Sequence, residues 1–367
     1  MPDLPLPPHS PPQPPHGGCP PYRATSRMLV KDCQGMELGM PIAWKVETVI
    51  APTPFVEARV GSVPVMLKLE SYTHPGSHKG RAAKLIASDL IEKDTRQALL
   101  LSSGNMADGM AYYTRGKDIK LVVVTDVLSP REFHSKLRQY PHVDLRIVNC
   151  PDASGSHLTA RRQLARRLLD QNPEMIEIDQ YSDRRIPFAY EISLCPEIDH
   201  QFNGDVGAVV IPTGTGGLLN GMLRFTQRQR KNWTIIGVDA VGSSLHWSVP
   251  PDGQKRHWSG YGNGGQTEFI SECCRRPYNY HLVHVSDRHT LAAMHRLFNR
   301  DGLLLGPSSG AVIAAIEIIL NHRPDLIPDR GCIVAVMPDG GENYRSTAWS
   351  DDWLITNGFG STISSRI

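Results

Sequence analysis

Ala208-Val209-Val210-Ile211-Pro212-Thr213-Gly214-Thr215-Gly216-Gly217-Leu218 joins a short apolar run to a glycine turn, and the turn to a helical stretch at 217–228. An apolar run without polar alternation reads as a strand covered on both faces of a parallel sheet. The glycines let backbone amides approach an anion, and the dipole of the following helix adds a favourable field. The pattern is not G-x-x-x-x-G-K-[ST], so an ATP-binding loop is disfavoured. It also lacks the full G-x-G-x-x-G spacing of a dinucleotide site. A monophosphate fits it better.

Outward from this turn, strands and helices alternate. Further strands are expected at 65–69, 98–101, 121–125, 145–148, 235–239 and 333–337, with helices at 81–93, 135–140, 157–171 and 311–320. Such alternation indicates an α/β protein whose parallel sheets are covered on both faces. Ligands in these folds sit beyond the carboxyl ends of strands, and three more loops lie at such places. Ser77-His78-Lys79-Gly80-Arg81 puts Lys79 at a helix entry. There the helix N-terminus and nearby cations favour the neutral amine that a Schiff base needs; taken alone, a loop lysine is more often a solvated charge. Leu101-Ser102-Ser103-Gly104-Asn105-Met106 offers amides and hydroxyls at a helix start, suited to a carboxylate or, more simply, to N-capping. Leu305-Gly306-Pro307-Ser308-Ser309-Gly310 precedes an apolar helix, where a serine either meets a ring nitrogen or caps the helix.

A chain of 367 residues suggests roughly two domains. With 40% hydrophobic and 21% charged residues the balance is globular, and a net charge of +2 argues against a broad nucleic-acid surface. The arginine-rich run from Arg161-Arg162 to Arg166-Arg167 is interleaved with leucines and reads as a solvated helix face. Seven scattered cysteines without a C-x-x-C pair point to a reducing cytoplasm and to neither a metal clamp nor a disulfide framework. No apolar run approaches the roughly 20 residues of a membrane span. Residues 1–24 are rich in proline and read as a disordered or polyproline-like tail.

The four loops, in this order, occur with Pro52-Thr53-Pro54-Phe55, Lys68-Leu69-Glu70, Gln180-Tyr181 and Met337-Pro338-Asp339-Gly340-Gly341-Glu342-Asn343-Tyr344. Together, over about 45–355, they resemble the fold-type II (tryptophan synthase β-like) pyridoxal-phosphate enzymes, in particular the cysteine synthase and cystathionine β-synthase branch. The resemblance implies two parallel-sheet domains: a large cofactor-binding one from 25–68 and 185–367, and a smaller mobile one from 69–184. It implies pyridoxal 5'-phosphate held by Lys79, with Gly214, Thr215, Gly216 and Gly217 on its phosphate, Asn105 at its phenolic oxygen and Ser308 at its ring nitrogen. Ser102, Ser103, Met106 and Gln180, with Gly260 and Tyr261 of a closing segment, would meet an amino-acid substrate. Lys79 would remove and return the α-proton while a thiol, sulfide or amine replaces the leaving group of an O-activated serine. A homodimer is a family expectation.

Several positions depart from that pattern. Gly80 stands where Asp is usual, Met106 replaces a hydroxyl residue, and Leu218 replaces the last Thr of the phosphate turn. The segment 258–265 differs from its cysteine synthase counterpart, so the substrates need not be O-acetylserine and sulfide. Asp108 either meets an amine nucleophile or faces solvent. Gly341-Glu342-Asn343-Tyr344 with Ser350-Asp351-Asp352-Trp353 resembles branches that make non-protein amino acids. Elimination without replacement, γ-carbon chemistry, a non-catalytic scaffold, and a nicotinamide dehydrogenase using Asp239 are the competing readings.

Overall fold

The computed structural model describes residues 51–102, 104–153, 155–246, 257–258 and 260–360, all within one compact unit. The proline-rich tail at 1–24 and Ser103 lie outside the described residues. The strands are β1 (Phe55–Val60), β2 (Val63–Leu69), β3 (Gln97–Leu101), β4 (Lys120–Asp126), β5 (Val143–Val148), β6 (Ile176–Ile178), β7 (Val206–Pro212), β8 (Thr234–Ala240), β9 (His281–Val285) and β10 (Cys332–Met337). The helices are α1 (Lys79–Glu92), α2 (Asn105–Tyr113), α3 (Arg131–Leu137), α4 (His157–Gln171), α5 (Arg185–Ile192), α6 (Leu194–Gln201), α7 (Gly217–Arg228), α8 (Glu268–Arg275), α9 (Asp287–Asp301), α10 (Pro307–His322) and α11 (Asp351–Thr356).

β7 is buried at every position, as expected of a strand with helices on both faces. It lies inside a six-stranded sheet of order β1-β2-β10-β7-β8-β9. A second sheet has the order β5-β4-β3-β6 and is parallel throughout. The chain therefore has the expected α/β class with two parallel sheets. One pair differs: β1 runs antiparallel to β2, from Phe55 opposite Lys68 to Val60 opposite Val63. A two-residue connection, Gly61-Ser62, allows only a hairpin, and Gly61 takes the positive φ (58°) that tight hairpins require.

The core of the larger sheet joins Leu67, Val210, Ile236 and Ala335 to Val312, Ala315 and Ile316 of α10. Beneath α1 the burial is polar. Arg81 forms a two-pronged pair with Glu70 at 2.6 and 2.8 Å and reaches Glu197 at 2.9 Å, while Lys68 pairs with Glu197 and donates to the Thr53 carbonyl at 2.5 Å. Two cations and two anions balance there, so no charge is buried alone. Thr53, Lys68 and Glu70, prominent in the sequence, are thus the footing of the helix that begins with Lys79.

Candidate active site

Lys79 opens α1 with its backbone N–H 3.2 Å from the Ser77 hydroxyl, and the preceding His78 N–H bonds the Pro338 carbonyl beyond β10 at 2.8 Å. The helix start is therefore anchored to the end of the larger sheet. Gly80 has a local cause: a Cβ there would lie 2.1 Å from the His74 carbonyl oxygen, so the folded-back loop leaves no room for the usual Asp. Removal from solvent lowers the Lys79 amine to a pKa of about 8. Burial alone does this, rather than the neighbouring cations expected from the sequence. Lys79 lines a cavity of about 610 Å³.

Gly214, Thr215 and Gly216 line the same cavity. Gly216 caps α7 in the left-handed region (φ 84°), and an added Cβ would press to 2.6 Å from Ile270. A Cβ on Gly214 would come 2.7 Å from the Gly260 carbonyl oxygen. Gly217 begins α7, its N–H directed at the Thr215 hydroxyl at 3.4 Å. These positions form a bare backbone turn before a helix of 12 residues, the arrangement that takes a phosphate. Gly260 (φ 120°) lies so close to Ser308 that a Cβ would approach its Oγ to 2.4 Å. Ser308 is buried and is not a cap: Gly306 is the N-cap of α10 and no side chain caps it.

From the smaller sheet, Ser102, Asn105, Met106 and Gln180 line the cavity. Ser102 follows β3 directly, and Gln180 donates to the Leu101 carbonyl at 2.8 Å, tying both to one strand end. The Asn105 amide donates to Asp339 at 2.7 Å, and its oxygen accepts from Asn343 at 3.4 Å. Asp339 is buried and also accepts from the Tyr344 hydroxyl at 2.6 Å; burial raises its pKa to about 6. Side-chain N-capping is absent here too, since Gly104 is the N-cap of α2. Tyr261, Gly217 and Ser308 are not among the cavity-lining residues; Ser308 lies behind Gly260, which is. The Tyr261 ring is in the core, and its hydroxyl bonds Asp287 at 3.0 Å and Thr290 at 2.9 Å.

Two expectations from the sequence need correction. Arg161 is not part of a solvated face: its side chain is 12% exposed, pairs with Asp126 at 3.1 Å and lines the cavity, while Arg162, Arg166 and Arg167 are exposed. Asp108 does not face solvent; it is buried 3.6 Å from Lys136, and desolvation raises its pKa. It borders a separate shallow pocket with Tyr112 and Arg115, so it does not meet a ligand in the main cavity. His78, His257, Trp258, Tyr344 and Trp353 also line the main cavity. His78, Trp258, Tyr344 and Trp353 fall in stretches that the sequence singled out, whereas His257 had no signal there, because it joins the others only through the fold.

Fold and site together define an α/β enzyme in which a lysine of lowered pKa shares a cavity with a phosphate-type cradle at the strand ends. The model of the pyridoxal-phosphate-dependent enzymes matches residues 46–339, and the chain belongs to that family. Its residues fit the cofactor: an amine for the aldehyde, a backbone turn that a Cβ would block for the phosphate, and a neutral serine beside Gly260 for the ring. Two relatives, the N-(2-amino-2-carboxyethyl)-L-glutamate synthases of Cupriavidus metallidurans and Ralstonia nicotianae, are each 30% identical to this chain over 322 residues. The first match covers 83% of this chain and 89% of the relative, the second 85% and 91%. The fold is shared with the O-acetylserine-dependent cystathionine β-synthase from Helicobacter pylori, at a TM-score of 0.70 and 21% identity, covering 84% of this chain and 99% of that one. It is shared equally with an O-ureido-L-serine synthase, at a TM-score of 0.71 and 21% identity, covering 84% and 98%.

Proposed function

We propose that this chain replaces the β-substituent of an O-activated serine with an amine, making a non-protein amino acid. The observation that supports this is the cavity lined by Lys79, by Gly214, Thr215 and Gly216, and by Ser102 and Asn105: an amine, backbone suited to a phosphate, and polar groups suited to a carboxylate share one space. The relatives' product name supports the amine, since a 2-amino-2-carboxyethyl group on the nitrogen of glutamate is a serine-derived β-carbon bonded to nitrogen.

When bound, the cofactor supplies an electron sink that acidifies the α-proton and promotes departure of the β-substituent. Lys79 holds it, and with a pKa of about 8 its amine exchanges a proton readily near neutral pH. Ser102, Ser103 and Gln180 hold the substrate carboxylate, Met106 takes the place of a polar contact, and Gly260 lets the wall approach closely. Asn105, braced by Asp339 and Asn343, would meet the cofactor's phenolic oxygen, and Ser308 would be an uncharged partner for its ring nitrogen.

Residues 69–184 form a body that closes over the substrate, and the protein is a cytoplasmic homodimer. Among the described residues no helix is long and apolar enough to cross a membrane. The test is to incubate the cofactor-loaded protein with O-acetyl- or O-phosphoserine, with and without amino acids or thiols, and to read the products by mass spectrometry. A C–N bonded diamino acid is expected. Pyruvate and ammonia alone would mean elimination, and borohydride labelling of a lysine other than Lys79 would remove the basis of the site.

A further inference from the structure

His257 sits on the wall of the same cavity, and its ring is held as a catalytic base is held. Nδ1 lies 2.7 Å from Asp287 Oδ2, which also accepts the His257 backbone N–H at 3.1 Å. The other Asp287 oxygen accepts from the Tyr261 hydroxyl at 3.0 Å, so the carboxylate is fixed from two sides. Asp287 is also the first residue of α9, where the helix dipole favours a negative charge. Phe359 and Trp353 meet the imidazole edge to face at 5.1 and 5.6 Å, and Trp258 is tilted against it at 5.8 Å. In the neutral ring the carboxylate selects the tautomer with the proton on Nδ1, so the lone pair is on Nε2 of a side chain that lines the cavity.

We infer that Nε2 of His257 is the general base that takes the proton from the incoming amine nucleophile. The inference rests on the amine-replacement reading above. An ammonium group has no lone pair with which to attack, whereas a thiol ionises near neutral pH and depends far less on a base. Lys79 is committed to the α-proton and cannot serve both. The balance is complete without an oxidant or reductant. One N–H bond of the nucleophile breaks and its proton goes to Nε2. A C–N bond forms at the serine-derived β-carbon, and the β C–O bond breaks with its electron pair leaving on the departing group. Lys79 removes and returns the α-proton, and His257 releases its proton to water as product leaves.

The test compares the cofactor-loaded full chain with its His257→Gln variant. Both are given an O-activated serine and, in parallel, an amino-acid nucleophile or a thiol. Leaving-group release, C–N product, C–S product and pyruvate are measured separately. The variant is expected to lose about 10²–10⁴-fold in C–N product formation, to lose less than about tenfold in C–S product, and to divert material to pyruvate. Added imidazole should restore part of the C–N rate. An equal loss of C–N and C–S products, or no loss of either, would show that the dyad only buttresses the segment and would overturn the inference. Failure of the unmodified enzyme to form any C–N product would instead overturn the amine reading itself, and the base with it. Unchanged cofactor absorbance in the variant separates a lost base from a misfolded site.

Discussion

At Lys79 burial acts on folding as well as on chemistry. The amine's pKa is about 8 in the folded chain, against about 10.4 for a solvated lysine. The unfolded chain therefore binds more protons between these values, and stability rises with pH across that window. Below about pH 8 the cost of burying the charge is present in full; above about pH 10.4 it has vanished. Before cofactor is added, Lys79→Met is accordingly expected to stabilise the protein at pH 7 by up to about 3 kcal/mol, an upper bound because water in the open cavity screens the charge. The gain should shrink to nothing by about pH 10.5. Urea unfolding at pH 7, 9 and 10.5 measures it, and a gain that does not depend on pH would mean the amine is solvated. Its neighbour His78 follows the same physics: desolvation, with Lys79 and Arg81 close by, pushes its pKa well down and keeps the imidazole neutral beside the reactive amine.

Two elements carry the site, the turn before α7 and the start of α1, and each has a weak point that can be tested. In the turn, Gly216→Ala demands a left-handed backbone from a residue with a Cβ, costing about 1–2 kcal/mol, and adds a clash with Ile270. Cofactor affinity, read by absorbance titration, should fall at least about tenfold. Ile270→Ala in the same chain should recover the part due to the clash and not the part due to the backbone. Under α1, Glu70→Gln leaves Arg81 and Lys68 facing Glu197 alone in a buried setting. Destabilisation of about 3–5 kcal/mol is expected in denaturant melts; a loss below about 1 kcal/mol would mean that water reaches the network. These elements were the most legible part of the sequence, because a glycine turn between an apolar strand and a helix has few alternative structures. The expected ranges 217–228 and 157–171 coincide with α7 and α4. The weakly patterned edges were missed. β1 is mostly exposed at a sheet edge and β9 only half-buried, so neither shows the continuous apolar run of a central strand. Arg161 was misread because its helix places three of the run's four arginines in solvent and one over the cavity, a distinction that depends on Asp126 lying 35 positions earlier. The His257–Asp287 pair spans 30 residues and likewise has no local signature.

Across the whole molecule, the two sheets hold opposite walls of one cavity: Ser102, Asn105, Met106 and Gln180 follow strands of the smaller sheet, and Gly214, Thr215 and Gly216 follow a strand of the larger. A substrate whose carboxylate is gripped by one wall and whose reacting carbon lies over the other stabilises their approach, which is the physical basis for expecting 69–184 to move. Among the described residues, the hydrogen bonds that cross between these parts beside the cavity include the His78 N–H to the Pro338 carbonyl at the foot of α1 and two sets farther along the wall. Asn105 bonds Asp339, and Glu132 on α3 accepts from both the Ser346 backbone N–H, at 2.8 Å, and the Ser346 hydroxyl, at 2.7 Å. Glu132 is not a cavity-lining residue, so its contribution is to hold the walls together. Removing bonds to a carboxylate should cost the closed state about 1.5 kcal/mol or more. If 69–184 closes as proposed, apparent substrate affinity falls in proportion to the closed fraction. Glu132→Ala should therefore raise KM for the activated serine by up to about tenfold while kcat changes by less than about threefold. Amide hydrogen exchange at 104–108 should become faster in the free enzyme and return to the wild-type rate when substrate saturates. If KM and exchange both stay at wild-type values, the walls are rigidly joined and substrate enters a site that is already formed. If kcat falls as much as kcat/KM, the bond acts in the chemical step rather than in closure.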